Sequence, residues 1–275
     1  MRVDLKLVHG NDGSDGSDFV ACAVQQSDYD TVLRPGAEPL ALYHGGHLVA
    51  LVMSWPSGGH MLAAARSLRY THTSRSGGML SDSRTFGFSP RLVVRREQCS
   101  ECATSSEYPL ATEAFYAGAA IAHAEFLRNV PERALLQATR IAQEVGACWR
   151  IRNSMFTGCI VNRSSALMYH RDGGNFSDTW NAQFTLAETG VIGGLFVLPE
   201  FRVALDLRDT LMFLDASKWV HGVTRISGRG NRYSVVYFAT AGMARCERTV
   251  DLEMARARQK RAGRESAKAH GGDDE

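Results

Sequence analysis

Lysine is almost missing from this chain. Of the 31 basic residues in 275, only Lys6, Lys218, Lys260 and Lys268 are lysine, and the rest are arginine. Arginine forks suit phosphates and guanine edges. A GC-rich genome produces the same bias through codon usage, so arginine content alone does not establish nucleic-acid binding. A net charge of +2 argues against a strongly polybasic protein. Long apolar runs are missing as well, and none approaches the ~20 residues that a transmembrane helix needs. The opening MRVDLKLVHGNDGSDGSD has an apolar patch too short for a signal peptide. The expected setting is therefore intracellular: the cytoplasm of a prokaryotic or phage-infected cell, or the nucleus of a eukaryote, with no membrane partner. A second cysteine pair is the third absence. Cys99 and Cys102 form a lone C-x-x-C among six cysteines, so a four-cysteine zinc site is not visible. Reduced thiols are expected, and a zinc completed by histidines stays open.

What is present is ordinary globular composition, 44% hydrophobic and 22% charged. NDGSDGSD (11–18) reads as a loop, GHLVALVMSW (46–55) as a strand, and MLAAARSLR as a helix. Residues 73–91 are polar and glycine-rich, and RLVVRRE after them reads as a strand. ATEAFYAGAAIAHAEFLRN (111–129) has helical apolar spacing. Pro131 starts a second helix that Gly146 stops. Six short β-type runs follow: SMFTGCIV, AQFTLAE, GGLFVLPE, FRVALDL, DTLMFLD and RYSVVYFAT. Such spacing suits an antiparallel sandwich or barrel. Residues 251–275 are charged, with a helical start and an end expected to be disordered. No internal repeat is visible.

Within the β-rich half, YHRDGGNFSDTWNAQFTL (169–186) holds His170 and Asp172 two residues apart. In an extended segment both project to one side while Arg171 points away. His221 follows on a later strand, and Arg232 eleven residues after it. Two histidines and a carboxylate on one face of iron(II) leave three positions for a bidentate oxo-acid and oxygen. Arg232 offers a two-pronged salt bridge to a dicarboxylate.

These residues resemble the 2-oxoglutarate- and iron(II)-dependent dioxygenases. More narrowly the chain is similar to the TET/JBP family, which oxidises the 5-methyl group of pyrimidines in DNA. HRDGGN (170–175) matches that family's H-R-D-x-x-N, VLPEF (197–201) resembles its V-L-P strand, and HGVT with RYSVVYF resembles its H…R-x-S close. The likeness covers residues ~150–240 and does not extend to the first 80. It implies an α+β fold: a double-stranded β-helix (jelly-roll or cupin-like) core over about 150–243, supported by helices over about 108–146. Residues 1–250 would form one dioxygenase domain with a basic tail behind it.

The resemblance implies iron(II), 2-oxoglutarate and O2 as cofactor and co-substrates, and DNA containing 5-methylcytosine as partner. His170, Asp172 and His221 would bind the iron. Arg232 would pair with 2-oxoglutarate, supported by Ser234, with a second arginine from Arg84 or Arg91. Asn175 would bond the edge of a flipped base, Phe238 would face its ring, and Thr240 would lie on the same wall. Ordinary core packing explains Phe238 equally well. Gly173 and Gly174 are expected to let the chain turn tightly beside the substrate. Phe196 stands where mammalian members carry a histidine, and their cysteine-rich zinc region is missing. Phosphate contacts are expected from Arg91, Arg95 and Arg96, and from the tail residues Arg256, Arg258, Lys260, Arg261 and Arg264. A thymine hydroxylase on DNA and an inactive β-helix that binds modified DNA are the alternatives.

Overall fold

The computed structural model describes residues 1–8, 16–74, 80–90 and 99–251, together with 253 and 256. Strands are numbered β1 to β17 along the chain. Ten form the larger sheet, in the spatial order Arg2–Asp4 (β1), Leu40–His44 (β3), His47–Ser54 (β4), Thr210–Leu214 (β14), Asn181–Ala187 (β10), Arg232–Phe238 (β17), Gly158–Arg163 (β8), Leu80–Ser89 (β6) and Thr71–Ser74 (β5), with Ser100–Glu101 (β7) also on β6. The smaller sheet runs Thr31–Leu33 (β2), Val203–Leu205 (β13), Phe196–Leu198 (β12), His221–Val223 (β15) and Leu167–His170 (β9). Val191–Gly193 (β11) and Ile226–Gly228 (β16) form a separate ribbon. Pairing is antiparallel except where β1 joins β3 and β2 joins β13.

The two sheets pack face to face. Leu40, Leu42, Val52 and Met212 of the larger sheet share one core with Phe196, Leu198, Val203 and Leu205 of the smaller. The larger sheet's other face is covered by the helices Gly59–Ser67 (α1), Ala103–Glu107 (α2), Pro109–Asn129 (α3) and Pro131–Glu144 (α4). Phe184, Phe213, Val235 and Tyr237 pack there against Phe115, Ala119, Ala122 and Phe126 of α3. Small residues let α3 press on the sheet. A Cβ added at Gly118 would lie 2.4 Å from Tyr237 Oη, the hydroxyl that donates to the Phe115 carbonyl at 2.7 Å.

The helices expected at MLAAARSLR, at 111–129 and from Pro131 all form, and Pro131 sits at the start of α4 as its φ preference favours. The strands extend beyond the expected core. Residues 73–91 contain β6, a ten-residue strand, because partners on both sides override a polar, glycine-bearing sequence. Five strands come from residues before 75, so the sheets draw on the N-terminal segment as well as on 150–243. The expected strand RLVVRRE (91–97) lies outside the described residues. No helix among the described residues is long and apolar enough to cross a membrane.

Candidate metal and co-substrate site

β9 and β15 run antiparallel with His170 directly opposite His221. Their ring centroids are 4.4 Å apart. Asp172 lies just beyond β9, its Oδ1 3.6 Å from His170 Nε2. One donor atom from each of the three residues falls within 4.8 Å of the other two. No other trio of histidine, cysteine or acidic residues gathers so closely among the described residues. Each histidine is oriented by its own chain: His170 Nδ1 donates to the Met168 carbonyl at 2.8 Å, and His221 Nδ1 to that of Trp219 at 3.0 Å. A proton on Nδ1 puts the lone pair on Nε2, the tautomer that suits a metal ligand. Phe196 stacks on the His221 ring at 5.2 Å, and Gly222 leaves room behind it for Tyr169 and Val24.

The carboxylate is held just as firmly. Asp172 donates its backbone N–H to the Ala216 carbonyl at 2.9 Å and accepts from Asn181 Nδ2 at 2.7 Å. Asn181 in turn accepts from Asn175 Nδ2 at 3.1 Å. α4 pins the segment between these asparagines, because Gln137 bonds both the N–H and the carbonyl of Trp180 while Arg140 donates to the Ser177 carbonyl. Arg171 turns toward Glu200, Ser17 and the Lys218 carbonyl, as alternation along the strand demands.

The larger sheet supplies the floor of the cup. Alternation along β17 sends Tyr233, Val235 and Tyr237 to the helical core, and Ser234, Val236 and Phe238 into the cup. Arg232 belongs to the second row. It is 4% exposed, and its Nη2 is buried with no hydrogen-bond partner. Burial pushes this guanidinium down to about 10, against the opposing field of Asp206. Burial would push Asp206 up, but hydrogen bonds from Arg208 and Arg34 outweigh that and hold it at about 2. Gly194 makes room for the arginine, since a Cβ there would lie 2.6 Å from Arg232 Cδ. Beside it Asn162 Nδ2 donates to Ser234 Oγ at 3.1 Å.

These residues fit the groups that the sequence leads one to expect. Two neutral imidazoles and one carboxylate form a facial set with open positions, suited to iron(II). A buried guanidinium with an unsatisfied nitrogen is costly alone, and a carboxylate such as the distal one of 2-oxoglutarate removes that cost.

At the mouth, Asn175 and Thr240 form a backbone bridge, and Ala241 N–H donates to the Gly174 carbonyl at 3.0 Å. Phe238 is half-buried on the cup wall. Its neighbour across the strands is Gly158, where a Cβ would approach the Phe238 ring to 3.2 Å. The cup encloses about 490 Å³. Gly173 and Gly174 line it and form the turn expected of them, but that turn does not need glycine. Neither has positive φ, and a Cβ at either would meet nothing within 4 Å.

Some expected residues are not brought to the cup. Arg84 faces the same side of its sheet as Phe86, toward the helices, and donates to the Arg69 carbonyl. It therefore cannot supply the second co-substrate contact, because its strand parity turns it away. Arg91, Arg95 and Arg96 lie outside the described residues, as do Arg258, Lys260, Arg261 and Arg264. Arg256 is engaged by Glu101 at 2.7 Å, so its charge is already matched within the protein. Cys99 is joined to Cys246 by a disulfide, which corrects the expectation of reduced thiols there. Cys102 remains a thiol, pushed up to about 11 by burial. Asn181, Asn162 and Gln183 were not singled out from the sequence. For Asn181 and Gln183 the signal was the alternation N-A-Q-F-T-L in β10, whose polar row reads as solvent-facing yet is buried, while Asn162 stands in β8.

No protein-family model matches the chain, and no curated protein matches it. Solved structures do. NgTET1 in complex with 5mC DNA is 12% identical, with a TM-score of 0.51 over 84% of this chain and 90% of that one. An oxidoreductase of the 2OG-Fe(II) oxygenase family from Burkholderia pseudomallei is 13% identical, with a TM-score of 0.42 over 69% of this chain and 85% of that one. The facing sheets, the helical layer behind the larger one and this likeness to NgTET1 give the chain the α+β double-stranded β-helix fold.

Proposed function

We propose that the protein is a 2-oxoglutarate- and iron(II)-dependent dioxygenase of the TET/JBP kind, converting 5-methylcytosine in DNA to 5-hydroxymethylcytosine. The observation that carries the reading is the pairing of a three-ligand set in the cup with a buried, unsatisfied arginine on the row of β17 whose Ser234, Val236 and Phe238 line that cup. His170, Asp172 and His221 would hold the metal, and Arg232 with Ser234 would hold the co-substrate. When bound, the iron lets oxygen decarboxylate 2-oxoglutarate to succinate and carbon dioxide while the second oxygen atom enters a methyl C–H bond. The protein's own work is to bind, orient and exclude water. Phe196 and Phe238 supply apolar walls near the ligands, and Asn162 orients the Ser234 hydroxyl.

The substrate half of the reading rests on the mouth. A base leaves its stack at a cost of roughly a few kcal/mol, which edge hydrogen bonds and a ring face offset. Asn175, Phe238 and Thr240 are the groups proposed for this. Asn175 gives its Nδ2 to Asn181, while its Oδ1 accepts no hydrogen bond among the described residues. An open acceptor suits the amino group of cytosine better than the O4 of thymine. The likeness to a structure solved with 5mC DNA supports the same choice.

The test is mass spectrometry of nucleosides after incubating methylated and unmethylated DNA with the protein, iron(II), 2-oxoglutarate and ascorbate. 5-Hydroxymethylcytosine from methylated DNA alone is expected. 5-Hydroxymethyluracil would give the activity to thymine, and succinate without any oxidised base would remove DNA as the substrate. A protein that binds neither iron nor 2-oxoglutarate would return the chain to the class of binding modules.

A further inference from the structure

A second cleft, of about 620 Å³, opens on the helical side between α3, α4 and residues 147–155. The larger sheet separates it from the cup, because its lining residues Ile151 and Met155 belong to the core that joins the helices to the sheet's far face. Its ionisable lining groups are His123 from α3, and Arg150 and Arg152 from the segment after α4; none is acidic. Thr139 and Asn153 add neutral polar groups.

Among the described residues, three buried side-chain nitrogens have no hydrogen-bond partner: Arg232 Nη2, His123 Nδ1 and Arg150 Nε. The first faces the site that the proposed function assigns to a carboxylate. The other two line this second cleft together. A buried donor without a partner costs about 1–3 kcal/mol, more when it carries charge. A buried imidazole nitrogen and a buried guanidinium nitrogen beside a second guanidinium, with no carboxylate in the lining, are the complement of a missing anion. We propose that this cleft binds an oxyanion of the phosphate class, which accepts from Arg150 Nε and from a His123 Nδ1–H, with Arg152 at the rim. Burial and the charge of Arg150 hold His123 below its usual range, so the unliganded cleft has a neutral imidazole beside a guanidinium. An anion between them cancels the field of Arg150 and favours a donating ring.

The proposal is independent of the iron site, and its ligand has two sources: free phosphate groups, or the phosphodiester backbone of a nucleic acid. The first experiment follows the thermal midpoint of the full chain in inorganic phosphate and in chloride of equal ionic strength. A saturable rise in phosphate alone is expected, since a ligand that binds only the folded state stabilises it. Arg150→Gln should abolish the rise, and His123→Gln should weaken the apparent affinity about tenfold, as expected for one hydrogen bond to a charged group. Arg232→Met should leave the rise intact, which separates this cleft from the floor of the cup. Equal midpoints in both salts, or an undiminished response in both Arg150→Gln and His123→Gln, would overturn the proposal. Binding of duplex DNA then identifies the source. A salt slope lower by about one unit in Arg150→Gln assigns the cleft to the phosphodiester backbone. An unchanged slope, with inorganic phosphate still bound by the wild type, assigns it to a free phosphate.

Discussion

The closed end of the cup and its open end are built by different rules. At the closed end Arg232 is 4% exposed, Gly194 is cut back to admit it, and Ser234 is bonded to Asn162. At the open end Gly173 and Gly174 are exposed, with open space where a side chain would stand, while the half-buried Asn175 side chain is bonded on one side only. The floor is fully formed before any ligand arrives, as suits a small co-substrate of fixed shape. The mouth keeps its contacts unmade, as suits a larger substrate that supplies half of the enclosure itself. Between the two ends lies the three-ligand set, oriented by backbone carbonyls and Asn181.

The largest effect expected is loss of the middle layer. His170→Ala or Asp172→Ala should remove turnover altogether and leave the thermal midpoint nearly unchanged, because both side chains line an open cup rather than a packed core. Metal content after reconstitution, alongside succinate formation, checks this. Retention of iron and turnover in either variant would refute the ligand assignment.

Breaking the floor should separate affinity from stability. Arg232→Met removes a charge-assisted fork worth about 1.5–3 kcal/mol per hydrogen bond, so the KM for 2-oxoglutarate should rise about 10²-fold or more. The same change deletes a buried, unpaired charge, so the ligand-free protein should be as stable as the wild type or more so. Lower stability with unchanged KM would mean that Arg232 serves packing alone. Opposite signs in the two measurements are the signature of a floor built for an anion.

Much of this was legible in the sequence, for a physical reason. His170, Asp172, His221 and Arg232 announce themselves because their chemistry is unusual at that spacing, and strand parity alone predicts that Arg171 turns away. The N-terminal strands were less legible. Thr31–Leu33 and Leu40–His44 are too short to show a period and are defined by their partners. The polar row of β10 misled in another way, since Asn181, Gln183 and Thr185 look like a wetted face and are buried around the cup. Arg84 was misjudged because the resemblance asks for an upstream arginine, while its strand parity places it on the other face. Sequence shows which atoms could react, but a sheet's two faces are told apart only by what covers them.

A smaller effect tests the join between the middle layer and the mouth. Asn181→Ala removes the donor that holds Asp172 Oδ2, and the loss of such a supporting contact typically weakens metal affinity 10- to 100-fold. Iron titration followed by absorbance or calorimetry reads this without any DNA present. Unchanged iron affinity would show that the Ala216 contact alone suffices to aim the carboxylate.

The smallest effect belongs to the mouth itself. Asn175 touches Asn181 rather than a ligand of the metal, so Asn175→Ala should lower iron affinity far less than Asn181→Ala does, the loss being one part-buried hydrogen bond of ~0.5–1.5 kcal/mol that does not reach Asp172. Base oxidation should fall about tenfold, the worth of one edge hydrogen bond of ~1–3 kcal/mol. Decarboxylation of 2-oxoglutarate without DNA should hardly change, because the closed end of the cup is intact. The ratio of the two rates is therefore the sharpest measure of how independent the ends are. If both rates fell together, Asn175 would act through Asn181 on Asp172, and the open end would be part of the metal's own scaffold rather than a separate reader of the substrate.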